Sequence, residues 1–387
     1  MRKMISAVAA AALLGSGSIA AQADSLKIGM MLTLSGPPAP LGEHARDGFN
    51  LAVEQLGGQL GGVDTEVVIV DDELQPDVGV QRVQALIERD EIDMFVGVIF
   101  SNVMMAVYQP LIDNEIITIS PNAGPSPIAG EQCSPYFFST AWQNDQNHEV
   151  MGRFAEDQGY ERVIIMAPNY QAGRDGLAGF KRHFTGEVVD EIYTQLGQLD
   201  FSAELARIAG AQPDAFYTFM PGGMGVNLVR QYRQAGLDNI AFLSAFTIDE
   251  TTLPAIEEAS LGFHSGAQWA PDLDNDVNRA FVEAFEEKYG YAPALYASQG
   301  YDAALLIDSA VRAVGGDLSD KEALLEAMRA ADFDSVRGSF SFNNNQFPVQ
   351  DFYSVEAVER EDGVYVTSIV EKVFEDYGDA YAEQCPM

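Results

Sequence analysis

From residue 24 onward, short apolar runs alternate with longer stretches whose apolar residues recur every three or four positions. Short apolar runs bounded by turn residues predict buried strands, and the longer periodic stretches predict amphipathic helices. Leu26–Leu34, Glu66–Val70, Met94–Val98 and Ile116–Ile119 read as strands, with helices from about Gly42 to Gln55, from about Pro76 to Glu88 and onward from Ser101. Apolar strands separated by helices of this length form parallel β-α-β units. The alternation restarts near Arg162, with strands over Val163–Ala167, Val188–Tyr193, Ala215–Phe219 and Ile240–Ser244. Helices over Gly173–Phe184, Phe201–Ala211 and Gly223–Gln234 lie between them. Two consecutive series predict an α/β protein of two doubly wound lobes rather than one barrel. Val277–Tyr289, Ser298–Val314 and Lys321–Ala331 are then strongly helical, and Phe340 to Phe374 alternates like antiparallel strands. These late elements must complete one or both lobes, so the chain crosses between them more than once.

The chain has 387 residues, 47% hydrophobic, which is enough for more than one core and excludes wholesale disorder. Charge is the outlier: 22 Lys and Arg stand against 58 Asp and Glu, a net −36. Such a surface repels phosphate backbones and anionic lipid, so neither nucleic acid nor a membrane surface is expected as a partner. The start reads as an address. Arg2 and Lys3 precede an apolar run from Ile5 to Leu14, and Ala21-Gln22-Ala23 has the A-x-A pattern of a secretory signal peptide cut after Ala23. The run is too short to span a bilayer, and no other candidate span follows. The expectation is an exported protein of the periplasm. In that oxidising compartment the two cysteines, Cys133 and Cys385, pair more often than they stay free, although two buried thiols remain the alternative. Neither C-x-x-C nor C-x-x-H spacing occurs, which argues against structural zinc.

Enzyme constellations are missing. G-x-S-x-G, G-x-x-x-x-G-K-[ST] and H-E-x-x-H do not occur. His44, His148, His183 and His264 are scattered, and a solvated or capping role is expected for each. Asp71-Asp72 and Glu257-Glu258 are expected as solvated surface. The glycine-rich Pro221–Gly225 lacks a dinucleotide fingerprint and reads as a tight turn facing a cleft. No catalysis and no cofactor are called for. In parallel sheets, ligands sit beyond the carboxyl ends of the strands. Ser101-Asn102 opens a helix at one such junction, where unpaired N–H groups suit a carboxylate. At the next junction, the small Ala123 and Gly124 of Ser120–Gly124 would let a ligand approach backbone N–H groups. Together the junctions predict an anion cradle without a basic residue.

Ile28–Gly36 with Gly42 and the helix containing Gly48–Ala52, Val70–Glu73, Val96-Gly97 leading to Ser101, Ile119–Ala123, Asp200–Ser202 and Tyr301–Ala303 stand in an order that resembles the periplasmic substrate-binding proteins of the branched-chain amino-acid (Leu/Ile/Val) type. The resemblance covers nearly all of the chain after the leader. It implies a type I periplasmic binding protein: two Rossmann-like lobes, three hinge crossings, a ligand clamped between lobes, and delivery to the permease of an ABC importer. On this template residues 24–141 and 272–338 form lobe 1, 142–271 and 339–372 form lobe 2, and 373–387 is a C-terminal tail; a monomer is expected. Ser101, with Asn102, Asn122 and the Ala123 and Gly124 backbone, falls where the family grips the ligand carboxylate. Leu41 falls where an apolar residue covers the ligand, and Tyr296 where an aromatic ring packs beside it.

The second lobe departs from the amino-acid binders, which hold the α-ammonium with carboxylates and a tyrosine. Here the matching positions are Asn144, Phe246 or Thr247, and Ala172, with Tyr170 displaced. An ammonium without a carboxylate partner in a closed cleft would cost several kcal/mol. Trp142, Tyr170, Met220, Pro221, Phe246 and Tyr296 are the candidate lining, and such groups favour a flat apolar body. The expected ligand is therefore an aromatic or otherwise apolar carboxylic acid, as in aromatic-acid binders of the family. Branched-chain or other hydrophobic amino acids are the alternative, with Asp145 or Asp249 replacing the lost carboxylate. An alternative of another class is ligand sensing for a separate receptor.

Overall fold

The structure, a computed structural model, describes residues 25–387, so the leader expected over residues 1–23 lies outside the described residues. The chain builds two sheets. The first contains β1 (Leu26–Leu32), β2 (Gln59–Leu60), β3 (Val63–Asp71), β4 (Met94–Gly97), β5 (Ile117–Ser120) and β6 (Phe137–Ser139), in the order β2-β3-β1-β4-β5-β6. All neighbours are parallel except the short β2–β3 pair. The second contains β7 (Arg162–Pro168), β8 (Glu187–Thr194), β9 (Ala215–Thr218), β10 (Ala241–Ala245), β11 (His264–Ala267), β12 (Ser341–Phe342), β13 (Pro348–Glu359) and β14 (Tyr365–Tyr377). Its order is β12-β13-β11-β10-β9-β7-β8, with β14 beyond β13. Strands β7 to β11 are parallel, and β12 to β14 close one edge antiparallel. Every residue of β4, β5 and β9 is buried, which is why these strands read as unbroken apolar runs.

The predicted helices form, with shifted starts. The first spans Ala39–Gln55 rather than beginning at Gly42. Its one proline, Pro40, lies in the first turn, where a missing N–H breaks no hydrogen bond. It packs along the helix Leu295–Ala313, and the approach needs glycine: a Cβ on Gly48 would sit 2.0 Å from the Ala297 carbonyl oxygen. That contact brings the late helices onto the first sheet and seats Tyr296. Asp71 and Asp72 are not solvated surface. Asp72 is fully buried and accepts from Thr33 Oγ1 at 2.7 Å, while Asp71 accepts from the Leu34 amide at 2.9 Å; the pair fixes the turn after β1.

Three passages join the sheets, over residues 140–145, 268–275 and 331–347. A guanidinium is buried among them. Arg337 pairs with Asp302 at 2.9 Å, donates to the Ala141 carbonyl at 3.1 Å and to Gln350 Oε1 at 2.7 Å, and both charged side chains are shielded from solvent. Gln350 Nε2 also donates to Ala141 at 2.7 Å. The C-terminal segment adds a further link. Beyond β14 the chain returns to the first lobe, where Cys385 is bonded to Cys133, as expected for paired cysteines. Among the described residues no helix is long and apolar enough to cross a membrane.

Removing one partner of a buried ion pair leaves the other charge uncompensated, at about 3–5 kcal/mol. Arg337→Ala is expected to lower the unfolding free energy in a urea titration by about that amount.

Candidate ligand-binding site

The parallel strands of both sheets direct their carboxyl ends toward one small, tightly closed-down cavity between the lobes, where ligands of such sheets sit. The first lobe supplies Leu41, Ile99, Phe100, Ser101, Asn122, Ala123 and Tyr296. Trp142, Asn144 and His148 come from the first passage and the helix Gln146–Asp157, and Tyr170, Ala172, Phe219, Pro221 and Phe246 from the loops and helix starts after β7, β9 and β10. The second wall is a stack of rings. Trp142 and Phe246 lie 4.7 Å apart between centroids, and His148 meets Phe246 and Phe219 edge-on at 5.6 and 5.1 Å. Phe246 holds a left-handed backbone (φ 56°). That conformation is uncommon for a bulky residue, and here it turns the ring inward among these neighbours.

Cross-lobe contacts close the cavity. The Gly223 amide donates to the Pro37 carbonyl at 3.3 Å, and a Cβ on Gly222 would meet Leu41 Cδ1 at 3.1 Å. This is the tight turn facing a cleft expected of Pro221–Gly225. On the other side, Asn144 Nδ2 donates to Ser101 Oγ at 3.1 Å, and Ser126 bonds to Asp175.

The polar groups of the lining are neutral. Ser101 is the first residue of its helix, and no side chain caps that helix. The N–H groups of Ser101 and Asn102 have no acceptor among the described residues. Asn122 donates to the Ile99 carbonyl at 2.6 Å. Tyr170 is buried, and burial pushes its hydroxyl well above the ordinary tyrosine range, so it stays protonated. Desolvation lowers the His148 imidazole to about 3, and its Nδ1 faces the Tyr217 hydroxyl. Ligand recognition in such a lining rests on dipoles and ring faces, without a fixed charge.

Three of the expected positions fall outside this lining. Met220 is fully buried core, its amide bonded to Thr247 Oγ1 at 2.8 Å. Asn102 lies one residue further along the helix and is not part of the lining. Gly124 lies behind the lining, and its amide is committed to Asn144 Oδ1 at 3.0 Å. The Ala123 amide reaches the Val98 carbonyl at 3.3 Å. The Ala123 and Gly124 amides are thus committed within the protein, whereas the helix start at Ser101 leaves its amides as donors. Ile99, Phe100, His148, Ala172 and Phe219 join the lining without having been proposed for it. Phe219 and Ile99 end apolar strands and read as core. His148 is no solvated or capping histidine, because its polar helix is packed between the second sheet and the helix Gln171–His183.

A cavity between two Rossmann-like lobes, with three passages joining them, defines a type I periplasmic binding protein. The sequence signature of the periplasmic binding protein family matches residues 25–363, and the chain belongs to that family. It is similar to an ABC transporter solute-binding protein from R. palustris in complex with benzoate, at 35% identity over 94% of this chain and 100% of that one, with a TM-score of 0.89. A solute-binding protein from Rhodopseudomonas palustris BisB5, in complex with 3,4-dihydroxybenzoic acid, is 27% identical over 92% of this chain and 99% of its own, with a TM-score of 0.84. The Leu/Ile/Val-binding protein homolog 6 of Brucella melitensis is 29% identical over 384 residues, 96% of this chain and 97% of that protein.

A buried imidazole held at about 3 stays neutral through the physiological range. The ring resonances of His148 are expected not to move in an NMR titration from about pH 8 to about pH 5; a midpoint near the ordinary histidine value of about 6.5 would show the ring in contact with water.

Proposed function

We propose that this protein binds an aromatic or otherwise apolar carboxylic acid between its lobes and delivers it to the permease of an ABC importer, acting as a periplasmic monomer after cleavage of its leader at Ala23. One observation carries the choice of ligand: the lining holds no carboxylate and no cation, only neutral donors at Ser101 and rings opposite. A carboxylate accepts hydrogen bonds from the Ser101 hydroxyl and the helix-start amides, whose partial positive charge favours an anion. The ring of the acid lies against Trp142 and Phe246. The structures solved with benzoate and 3,4-dihydroxybenzoic acid support this reading. In it, residues 24–141 with 272–338 move as one lobe against 142–271 with 339–372, and the tail of 373–387 begins inside the last strand. Ligand closes the lobes by binding the closed form more tightly, and the permease recognises that form. No bond is made or broken in the ligand.

The Leu/Ile/Val-binding name of the Brucella relative favours hydrophobic amino acids as a second reading. It needs a carboxylate for the ammonium, and the two candidates are engaged elsewhere. Asp145 pairs with Arg182 at 2.8 Å and accepts from Tyr381 at 3.0 Å. Asp249 accepts from the Thr251 amide at 2.8 Å and its hydroxyl at 2.5 Å, with Tyr296 at 3.4 Å.

Calorimetric titration with benzoate, 4-hydroxybenzoate, leucine and isoleucine separates the readings. Binding is expected for the aromatic acids, and heat from the amino acids alone would overturn the assignment. Ser101→Ala is expected to weaken benzoate binding by about 1–3 kcal/mol, the worth of a hydrogen bond to a charged group.

A further inference from the structure

We propose that Asp175, which does not line the cavity, is a positioning residue that makes the Ser101 hydroxyl a donor to the ligand carboxylate when the lobes close. The inference rests on the carboxylate reading of the site given above.

Asp175 lies on the helix Gln171–His183 of the second lobe and is 5% exposed. Four donors surround its carboxylate. Oδ1 accepts from Ser126 Oγ at 2.7 Å and from Gln171 Nε2 at 2.8 Å; Oδ2 accepts from the Ser126 amide at 3.1 Å and from Asn144 Nδ2 at 2.9 Å. Ser126 belongs to the first lobe, so two of the four bonds cross the cleft. The neighbouring cation, Arg174, turns instead to Asn169 and Gln171. With four donors in place, this carboxylate has little left to offer a ligand ammonium.

Asp175 also decides which way the Asn144 amide faces. A carboxylate only accepts and a backbone N–H only donates. Asn144 must therefore turn Nδ2 to Asp175 and Oδ1 to the Gly124 amide, at 2.9 and 3.0 Å. Reversed, it would set oxygen against carboxylate and N–H against N–H. In the enforced orientation Nδ2 also donates to Ser101 Oγ at 3.1 Å. The hydroxyl oxygen is then an acceptor toward Asn144, and its own proton has within the protein only the long 3.5 Å reach to Asn144 Oδ1, which a ligand carboxylate in the cavity can displace. When the lobes part, the Ser126–Asp175 bonds break and Asp175 draws away from Asn144, whose own amide is held by the Gly124 carbonyl of the first lobe at 2.8 Å, so the orientation of the Ser101 hydroxyl is no longer enforced. The anion site is complete only in the closed protein, which couples recognition of charge to closure.

The test is a double-mutant cycle between Asp175→Ala and Ser101→Ala, titrated with benzoate and with its neutral counterpart benzamide. Asp175→Ala is expected to weaken benzoate about tenfold or more and benzamide much less, and its loss is expected not to multiply with that of Ser101→Ala. Unchanged benzoate affinity, an equal loss for both ligands, or fully multiplying losses would overturn the proposal. Should the wild-type protein bind no benzoate, the carboxylate reading fails by itself. The cross-lobe tie is then read from small-angle scattering of the unliganded protein. Asp175→Ala and Ser126→Ala must each be more open than wild type, and superimposable curves would count against the tie.

Discussion

A guanidinium cannot be buried without partners, and Arg337 finds its partners in different parts of the chain. Asp302 comes from the helix beside the first sheet, Ala141 from the first passage and Gln350 from the start of β13. An unpaired charge there would cost several kcal/mol, so these segments are held in register wherever the lobes move. The cleft can have a reproducible shape because its fulcrum is fixed by a charge.

From that fulcrum the two walls divide the work by chemistry. The first lobe brings a helix start and a hydroxyl, which supply donors. The second brings Trp142, His148, Phe219 and Phe246, whose edges and faces pack on one another. The full chain carries a net charge of −36, and its long-range field opposes an arriving anion. That field is screened within about 8 Å at physiological ionic strength. Affinity for a carboxylate must therefore come from dipoles at contact distance, where the net charge of the surface matters little.

Much of this was legible in the sequence. Buried parallel strands announce themselves as apolar runs, and the junctions after β4 and β5 could be picked out because ligand sites lie at such ends. Leu41, Ser101, Trp142, Asn144, Tyr170, Phe246 and Tyr296 share one cavity, as expected from the resemblance and the aromatic character of the second lobe. What escaped depends on pairings far apart in sequence. The Gly124 amide is consumed by Asn144, twenty residues on, and nothing local marks it as taken. His148 sits in a polar stretch that looks like a solvated helix, yet both sides of that helix are covered. Met220 and Phe219 are adjacent in sequence, and which of the two faces the cavity is decided by the twist at the end of β9.

The bond between Cys133 and Cys385 adds a covalent link to the three passages. The last strand belongs to the second sheet, and the segment after it is fastened to the loop between β5 and β6 of the first. A protein with three passages alone could splay, slide or twist about a loose bundle of threads. Here a covalent tether at the far terminus joins them in a ring, so the halves keep the freedom of a door on its post and lose that of a drawer in its frame.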